Sequence, residues 1–499
     1  MIHQAVLMVG GKGTRLRPLT ERYPKPILPI LDKPCVMYLI ESLVKAGIDE
    51  VIMACGYRSE HMAAAIGDGS DLGISITYSY EDEPMGTGGA IKLLEDRLDD
   101  VFVAVNGDVF SDMDIGLEIE EHIGSGADVT ISMVEVDDPT EYGIIGLDDT
   151  GRITRFKEKP KREEAFSNLI NSGVYIVRKE VLGFIPEGKQ YDISKELFPL
   201  LLEKGYHLHG HRIHGHFRDV GRPYDLYQAN VEVALRNGGA RGGLLYSGNG
   251  STIDGSGLSD SVVMEGCSIR DSDISGSLIL PFAFINGSTI RDSILGRGCI
   301  VGKGCTIEGV TLGDGAIVPD GSVIKDKASA DVLKRKAVLM DRDDTLNDDV
   351  GHCSRPEDIK LFPGVSKALR RLNESGFLTV IITNQSAIGR GMIDEAGLKR
   401  INDKLQADLL ATGGGVIDDI FFCPHLPDAG CECRKPKPQM GIRAIEKHNI
   451  DVRYSYMIGD SEKDMEFGRN IGAATVKVDG KIGRYTFVEA VDDILSGRV

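Results

Sequence analysis

No run of the sequence approaches about eighteen consecutive apolar residues, so nothing in it is built to cross a bilayer as a helix. A basic balance is missing too. The formal net charge is −19 at pH 7, which excludes a broad nucleic-acid surface, because neutralising phosphates needs a basic face. Anionic small substrates stay open to it, since they need only a few local arginines and lysines. Cysteine is sparse: nine in 499 residues do not make a disulfide scaffold. The first residues lack both the charged segment and the cleavage site of a signal peptide, so a cytoplasmic protein is expected. What remains is ordinary globular material, 41% hydrophobic and 27% charged, with length for about three domains.

An apolar run, Ala5 to Val9, ends in Gly10, Gly11 and Gly13, with Thr14 and Arg15 next. This predicts a strand delivering a tight loop whose N–H groups converge on phosphate oxygens. Arg15 adds a charge-assisted bond to the same anion. No Gly-Lys-Ser/Thr closes the loop, and the spacing departs from the dinucleotide fingerprint. To about residue 235, strand-like and helix-like runs alternate. Val36 to Lys45 has helical spacing and stops at Gly47, while Val51–Cys55 and Phe102–Val105 read as buried strands. The alternation predicts a mostly parallel α/β sheet with ligands at the carboxyl ends of its strands. Two strand ends deliver carboxylates, Asp108 and Asp219, and such a pair beside phosphates suits Mg²⁺.

With Pro24-Lys25-Pro26 following, the loop resembles the signature of the sugar-1-phosphate nucleotidylyltransferases. The first 330 residues resemble the guanylyltransferases that act on mannose 1-phosphate and heptose 1-phosphate. The resemblance implies a Rossmann-like domain in which Gly10, Gly11, Gly13 and Thr14 hold the nucleotide, with Gly86, Gly88 and Gly89 close to the base. Arg15 and Lys25 would stabilise its phosphates, and Asp108 and Asp219 would hold Mg²⁺. Glu158 and Lys159 would meet the sugar and its phosphate, and Asn171 and Gly173 would line the sugar pocket. The sugar phosphate would attack the α-phosphate in line and pyrophosphate would leave, by positioning and charge stabilisation alone. Val9 and Gly88, where relatives often carry Ala, look like the heptose enzymes, and GTP is the favoured nucleotide.

Five histidines, His207, His209, His211, His214 and His216, fall within ten residues. No Cys or carboxylate is interleaved, so strand packing is expected rather than a metal cluster.

From about 244 to 325 apolar residues recur five or six apart, from Ile253, Leu258 and Val263 to Leu312, Val318 and Ile324. That period is too short for helical repeats and matches the faces of a parallel β-helix. It resembles the left-handed hexapeptide-repeat domain of many nucleotidylyltransferases, with Cys267, Cys299 and Cys305 as coil packing. Its sides and ends, or the transferase domain, would carry a homo-oligomer. Asp326 to Lys336 is polar enough for a linker. The expected domains are therefore residues 1–240, 241–329 and 330–499.

A second α/β pattern begins at Ala337–Met340 and runs into Asp341-Arg342-Asp343. Two carboxylates two apart, past a strand end, suit a nucleophile and its acid/base partner around Mg²⁺. Thr383-Asn384, Arg434-Lys435 and Asp460, with Asp464 one turn later, follow in order. Together they resemble the four motifs of haloacid-dehalogenase-type phosphatases. Cys423, His425, Cys431 and Cys433 supply three thiolates and an imidazole, the ligand set of a structural Zn²⁺. That loop resembles the histidinol-phosphate and heptose-1,7-bisphosphate phosphatases. There Thr383 and Lys435 would hold the phosphoryl oxygens, and Asn384 and Arg434 the sugar phosphate. Asp341, Asp460 and the backbone of Asp343 would hold Mg²⁺. Asp344 and Gln439 stand where that family often has Gly.

The fusion is itself informative. A phosphatase taking the anomeric phosphate would destroy the transferase's substrate, whereas one taking the distal phosphate of a sugar 1,7-bisphosphate would create it. The expectation is consecutive steps, heptose 1,7-bisphosphate to heptose 1-phosphate to GDP-heptose, with nucleoside triphosphate and sugar phosphates as the only partners. The alternatives are a mannose-1-phosphate guanylyltransferase with a phosphatase of separate purpose, or a non-catalytic scaffold like the exchange-factor subunits of the same build.

Overall fold

The computed structural model describes residues 2–56, 59–81, 83–213, 215–348, 351, 353–480 and 485–499. The chain forms two compact units, one of Met1–Leu16 with Tyr23–Ala229, the other of Arg17–Arg22 with Asn230–Val499.

In the first unit, strand Gln4–Met8 is buried along its whole length, as a strand covered on both faces must be. It lies parallel between Glu50–Cys55 and Val101–Asn106, with Ser75–Tyr80 beyond Glu50–Cys55. Its side chains alternate between two cores: Val6 and Met8 join one, Ala5 and Leu7 the other. Helix Cys35–Lys45 covers the second core with Val36, Leu39, Ile40 and Leu43. Beyond Val101–Asn106 the sheet is mixed rather than mostly parallel. Leu169–Arg178 runs antiparallel to Val101–Asn106 and Val129–Glu135, and Gly143–Leu147 pairs antiparallel with Ile153–Glu158. Short connections suffice for antiparallel neighbours, so the helix count that signals parallel crossovers drops out here.

In the second unit, residues from Leu244 to Ile324 wind into a parallel β-helix of three sheets. Its core is three apolar stacks. One is Ile253, Ile269, Ile285, Val301 and Val318. The next is Leu258, Ile274, Ile290, Ile307 and Ile324. The third is Val263, Ile279, Leu295 and Leu312. Cys267, Cys299 and Cys305 are buried among them. The stretch expected as a linker is folded. Asp326 caps a short helix, Lys327–Asp331, by accepting from the Ser329 amide at 2.8 Å. Lys334–Arg335 then pairs with Ala316–Ile317.

A five-stranded parallel sheet follows, ordered Asp419–Cys423, Leu378–Asn384, Ala337–Met340, Tyr456–Gly459 and Ala474–Lys477. Because every strand points the same way, Asp341, Thr383, Cys423 and Asp460 emerge along one edge of the sheet.

Candidate active sites

The first unit holds a cleft of 480 Å³ at the carboxyl ends of Gln4–Met8 and Val101–Asn106. Gly10, Gly11, Gly13, Thr14, Arg15, Lys25, Gly86 and Asp108 all line it. A two-stranded ribbon, Val109–Ser111 with Phe217–Asp219, brings the two carboxylates together by setting Asp219 opposite Val109. Lys25 Nζ then sits 3.0 Å from Asp108 Oδ2 and 3.0 Å from Asp219 Oδ1. Burial would lower the Lys25 pKa, but the two carboxylates outweigh it and the net shift is upward. The ammonium therefore stays charged and holds two like charges together. Arg15 comes close to Asp219 as well: a side chain at Gly221 would meet both.

Other expected residues lie outside the cleft lining. Gly88 and Gly89 pack inside helix Gly86–Lys92 and donate their amides to Tyr191 O at 2.8 and 3.2 Å. Only Gly86 of the three, with φ +72°, faces the cleft. Gly173 has φ +80° and lies so close to Asn106, a cleft residue, that a Cβ would sit 2.5 Å from its amide nitrogen. Asn171 donates to Tyr175 Oη at 2.8 Å and Ser194 Oγ at 3.0 Å. Burial pushes Glu158 up, and Lys159 adopts φ +43°. Thr87, Asn106 and Gln190 also line the cleft; nothing in their local pattern marks them in the sequence.

The histidines pack as expected of a strand. His209 pairs with Glu121 and His211 with the buried Glu118, both at 2.9 Å, on helix Ile115–Ser125. His214 lies outside the described residues.

In the second unit, Lys435 Nζ lies 2.9 Å from Asp341 Oδ1 and 2.6 Å from Asp464 Oδ1, in ion pairs rather than aligned hydrogen bonds. Asn384 fixes that lysine's backbone, accepting from its amide at 3.0 Å and donating to its carbonyl at 3.3 Å. Asp341, Asp460 and Asp464 offer oxygens all within 4.8 Å of one another, which suits a hard divalent cation. Asp464 thus joins the two carboxylates expected there. Burial pushes Asp341 up, Lys435 pulls it back, and the balance is about 7.

Asp343 is turned to other partners. Arg342, wholly buried, donates Nε and Nη2 to its two oxygens at 2.9 Å each. Gln385 Nε2 donates to Asp343 Oδ2 at 2.8 Å and to Thr383 Oγ1 at 2.9 Å. Burial alone would raise Asp343; the Arg342 guanidinium holds it below the usual carboxylate range. Asp344 has φ +55°, which explains why Gly is frequent there and why Asp, tolerant of the left-handed region, can replace it.

Cys423, His425, Cys431 and Cys433 converge. Cys423 Sγ lies 3.6 Å from Cys431 Sγ and 3.2 Å from Cys433 Sγ, and His425 Nδ1 lies 3.2 Å from Cys433 Sγ. Those separations approach the edge of about 3.8 Å in a tetrahedron with metal–sulfur bonds of about 2.3 Å, so the four residues fit one metal ion. Arg434, next in the chain, donates to His425 O at 3.1 Å and Ser386 Oγ at 3.0 Å.

A glycine loop over paired carboxylates, a β-helix, and an aspartate cluster at the edge of a parallel sheet are the arrangement expected of a nucleotidyl-transferring enzyme joined to a hydrolase. Family comparison agrees. Residues 4–235 match "Nucleotidyl transferase", 250–340 "GlmU-like, C-terminal hexapeptide" and 324–472 "haloacid dehalogenase-like hydrolase". The mannose-1-phosphate guanylyltransferase of Mycobacterium tuberculosis is 35% identical over 302 residues, 60% of this chain and 82% of that one. The UTP–glucose-1-phosphate uridylyltransferase of Synechocystis is 34% identical over 47% of this chain and 64% of its own. A crystal structure of HddC from Yersinia pseudotuberculosis complexed with GMP-PN is 28% identical, covering 46% of this chain and all of that one, with a TM-score of 0.41. The chain belongs to the sugar-1-phosphate nucleotidyltransferase family, with a haloacid-dehalogenase-like hydrolase fused behind its hexapeptide repeats.

Proposed function

We propose that the chain runs two consecutive steps: it removes the distal phosphate of heptose 1,7-bisphosphate and transfers GMP from GTP to the heptose 1-phosphate formed. What carries this reading is that both constellations are complete in one chain, Lys25 with Asp108 and Asp219, and Lys435 with Asp341 and Asp464. A scaffold would have no need of either, and only distal dephosphorylation makes the two activities compatible.

In the transferase, the glycine loop and Arg15 hold the triphosphate while Lys25 meets charge developing at the α-phosphorus. Glu158, Lys159, Asn171 and Gly173 hold the sugar so that its phosphate oxygen attacks in line, and pyrophosphate leaves. In the hydrolase, Asp341 attacks the distal phosphoryl group and an aspartyl-phosphate remains; the sugar oxygen leaves with a proton brought by the substrate's monoanion and passed through Asp343, which Arg342 keeps ionised at rest. Asp343 then takes a proton from the water that cleaves it. Thr383 and Lys435 hold the phosphoryl oxygens, and Asn384 and Arg434 the sugar phosphate. Asp108 and Asp219 in one site, and Asp341, Asp460 and Asp464 in the other, would hold Mg²⁺, which would supply charge neutralisation. Cys423, His425, Cys431 and Cys433 would hold Zn²⁺, which would brace the loop before Arg434. We take the compartment to be cytoplasmic, in keeping with nine cysteines that are not bridged by disulfides. We also take the chain to form a homo-oligomer through the β-helix, where Phe282 and Phe284 are exposed, or through the transferase.

The test is the purified protein with heptose 1,7-bisphosphate and each nucleoside triphosphate in turn, followed by product mass. GDP-heptose with phosphate and pyrophosphate is expected. A second reading, favoured by the 35% identity to a mannose-1-phosphate guanylyltransferase, is mannose 1-phosphate as acceptor. Pyrophosphate release with mannose 1-phosphate and none with the heptose substrate would decide for it.

A further inference from the structure

After Leu16 the chain lends six residues, Arg17–Arg22, to the second unit before returning to the first at Tyr23. Inside the second unit Arg22 is 4% exposed. Its Nε and Nη2 form a two-pronged pair with Asp418, at 2.9 and 2.7 Å. Nη1 donates to Asn373 O at 3.1 Å and Nη2 to Phe377 O at 2.8 Å. Asp418 also accepts from the Thr379 amide at 2.8 Å and Thr379 Oγ1 at 3.1 Å, so both partners are saturated. Burial would raise Asp418, and the Arg22 guanidinium more than reverses that. Two further contacts hold the same segment: Pro18 rests beside Gly313, and Glu21 faces Arg335 at 3.7 Å.

A desolvated arginine making four charge-assisted bonds is a fixed point. Its place in the chain gives it meaning. Arg15 stands two residues before the seated segment and Lys25 three after it, within reach of about 7 and 11 Å of extended chain. Both ends of the catalytic loop are therefore tethered to one buried seat.

We propose that Arg22 and Asp418 are positioning residues for nucleotidyl transfer, seating the segment that joins Arg15 to Lys25 within the unit that carries the hydrolase. The inference rests on the reading of Arg15 and Lys25 as transferase residues. Hydrolysis itself does not use the segment, so the dependence runs one way: transfer needs the seat, and phosphatase turnover does not.

The experiment uses the full chain as Arg22→Lys, Arg22→Met and the double variant Arg22→Met/Asp418→Asn, which removes both buried charges at once. Pyrophosphate release and phosphate release are measured on the same sample, with KM for each transferase substrate. The kcat of transfer is expected to fall about 10- to 100-fold in Arg22→Met and in the double variant, the loss a misplacement of about 1 Å brings. Arg22→Lys should recover part of it, and phosphatase turnover should stay within about twofold. Unchanged transfer in the double variant overturns the proposal, and so does a parallel loss of both activities in every variant, which makes the pair a general stabiliser. Failure of the unaltered protein to release pyrophosphate with any sugar 1-phosphate would instead overturn the underlying reading of the transferase.

Discussion

The two candidate sites use one device in two settings. In each, a lysine is pinned between two aspartates, Lys25 at 3.0 and 3.0 Å and Lys435 at 2.9 and 2.6 Å. The surroundings differ. Asp108 and Asp219 keep 46% and 30% of their side-chain surface exposed, whereas Asp341 and Asp464 keep 16% and 1%. Water shares the charge in the nucleotide cleft; in the hydrolase the lysine carries it nearly alone, and Asp341 rises to about 7 despite that help. The open version suits a site that must admit a large polyanion. The closed version would suit the nucleophile role proposed for Asp341, since a carboxylate gains reactivity when water is excluded.

The largest expected break in this comparison comes from the four-ligand loop, since Cys433 lies two residues before Lys435. Strong chelation or Cys431→Ser should release about one zinc per chain. The phosphatase should then melt early, because structural zinc supplies on the order of 10 kcal/mol of local folding energy, while the transferase transition stays put. Elemental analysis that finds no zinc in the purified protein would remove the four-ligand reading altogether.

Next in size is the separation of the two chemistries. Asp341→Asn should lower phosphatase turnover at least about a thousandfold and trap no phosphoenzyme, with pyrophosphate release unaffected. Asp108→Asn should do the reverse. Rapid-quench labelling alongside both assays checks this, and a shared loss in either variant would mean that the sites are not independent.

Replacing the lysines themselves sharpens the contrast in burial. Lys435→Met leaves Asp341 and Asp464 buried without their cation, and about 3–5 kcal/mol of destabilisation is expected. Lys25→Met leaves two carboxylates that water still reaches, and about 1 kcal/mol or less should be lost. Denaturant unfolding of the two variants side by side decides, and equal losses would refute the contrast.

Acid sensitivity contrasts the two units rather than the two sites. Burial, with Arg178 adding to it, lowers His122 from 6.5 to about 4, so the unfolded chain binds the proton first as pH falls. The first unit should lose up to about 3 kcal/mol between pH 6.5 and 4. Asp418 in the second unit is held below its usual range by Arg22; its contribution is intact above the unfolded value of 3.8 and goes only as pH falls through the lower folded value. Melting followed from pH 7 to 4, with His122→Gln as control, should show the first unit softening earlier, and the variant should flatten that slope.

How much of this could be read beforehand follows from how each feature is encoded. The β-helix stacks were legible because every coil repeats the same apolar demand, so Ile253, Ile269 and Ile285 fall in step. The glycine loop and the strand-end aspartates were legible because backbone approach and charge at a strand end restrict residue type locally. The mixed half of the transferase sheet was not, since an antiparallel return leaves no helix to count. Gly88 and Gly89 look like loop glycines by composition, but their spacing to Tyr191 is a tertiary fact. Arg342 and Asn347 from its own loop and Gln385 from the end of another strand converge on Asp343, and a single polar residue in a loop carries no periodic signal. Arg22 is the extreme case, an isolated charge whose partner is far along the chain.

That distance has a consequence for how the protein is made. Arg22 and Asp418 are 396 residues apart. On a ribosome adding about 5–20 residues per second, Asp418 appears about 20–80 s after Arg22. During that interval Arg22 lacks its carboxylate partner, although the strands on either side of Arg17–Arg22 can already form. The segment therefore settles long after it is made, and the nascent chain carries an incompletely seated Arg17–Arg22 until Asp418 has been translated.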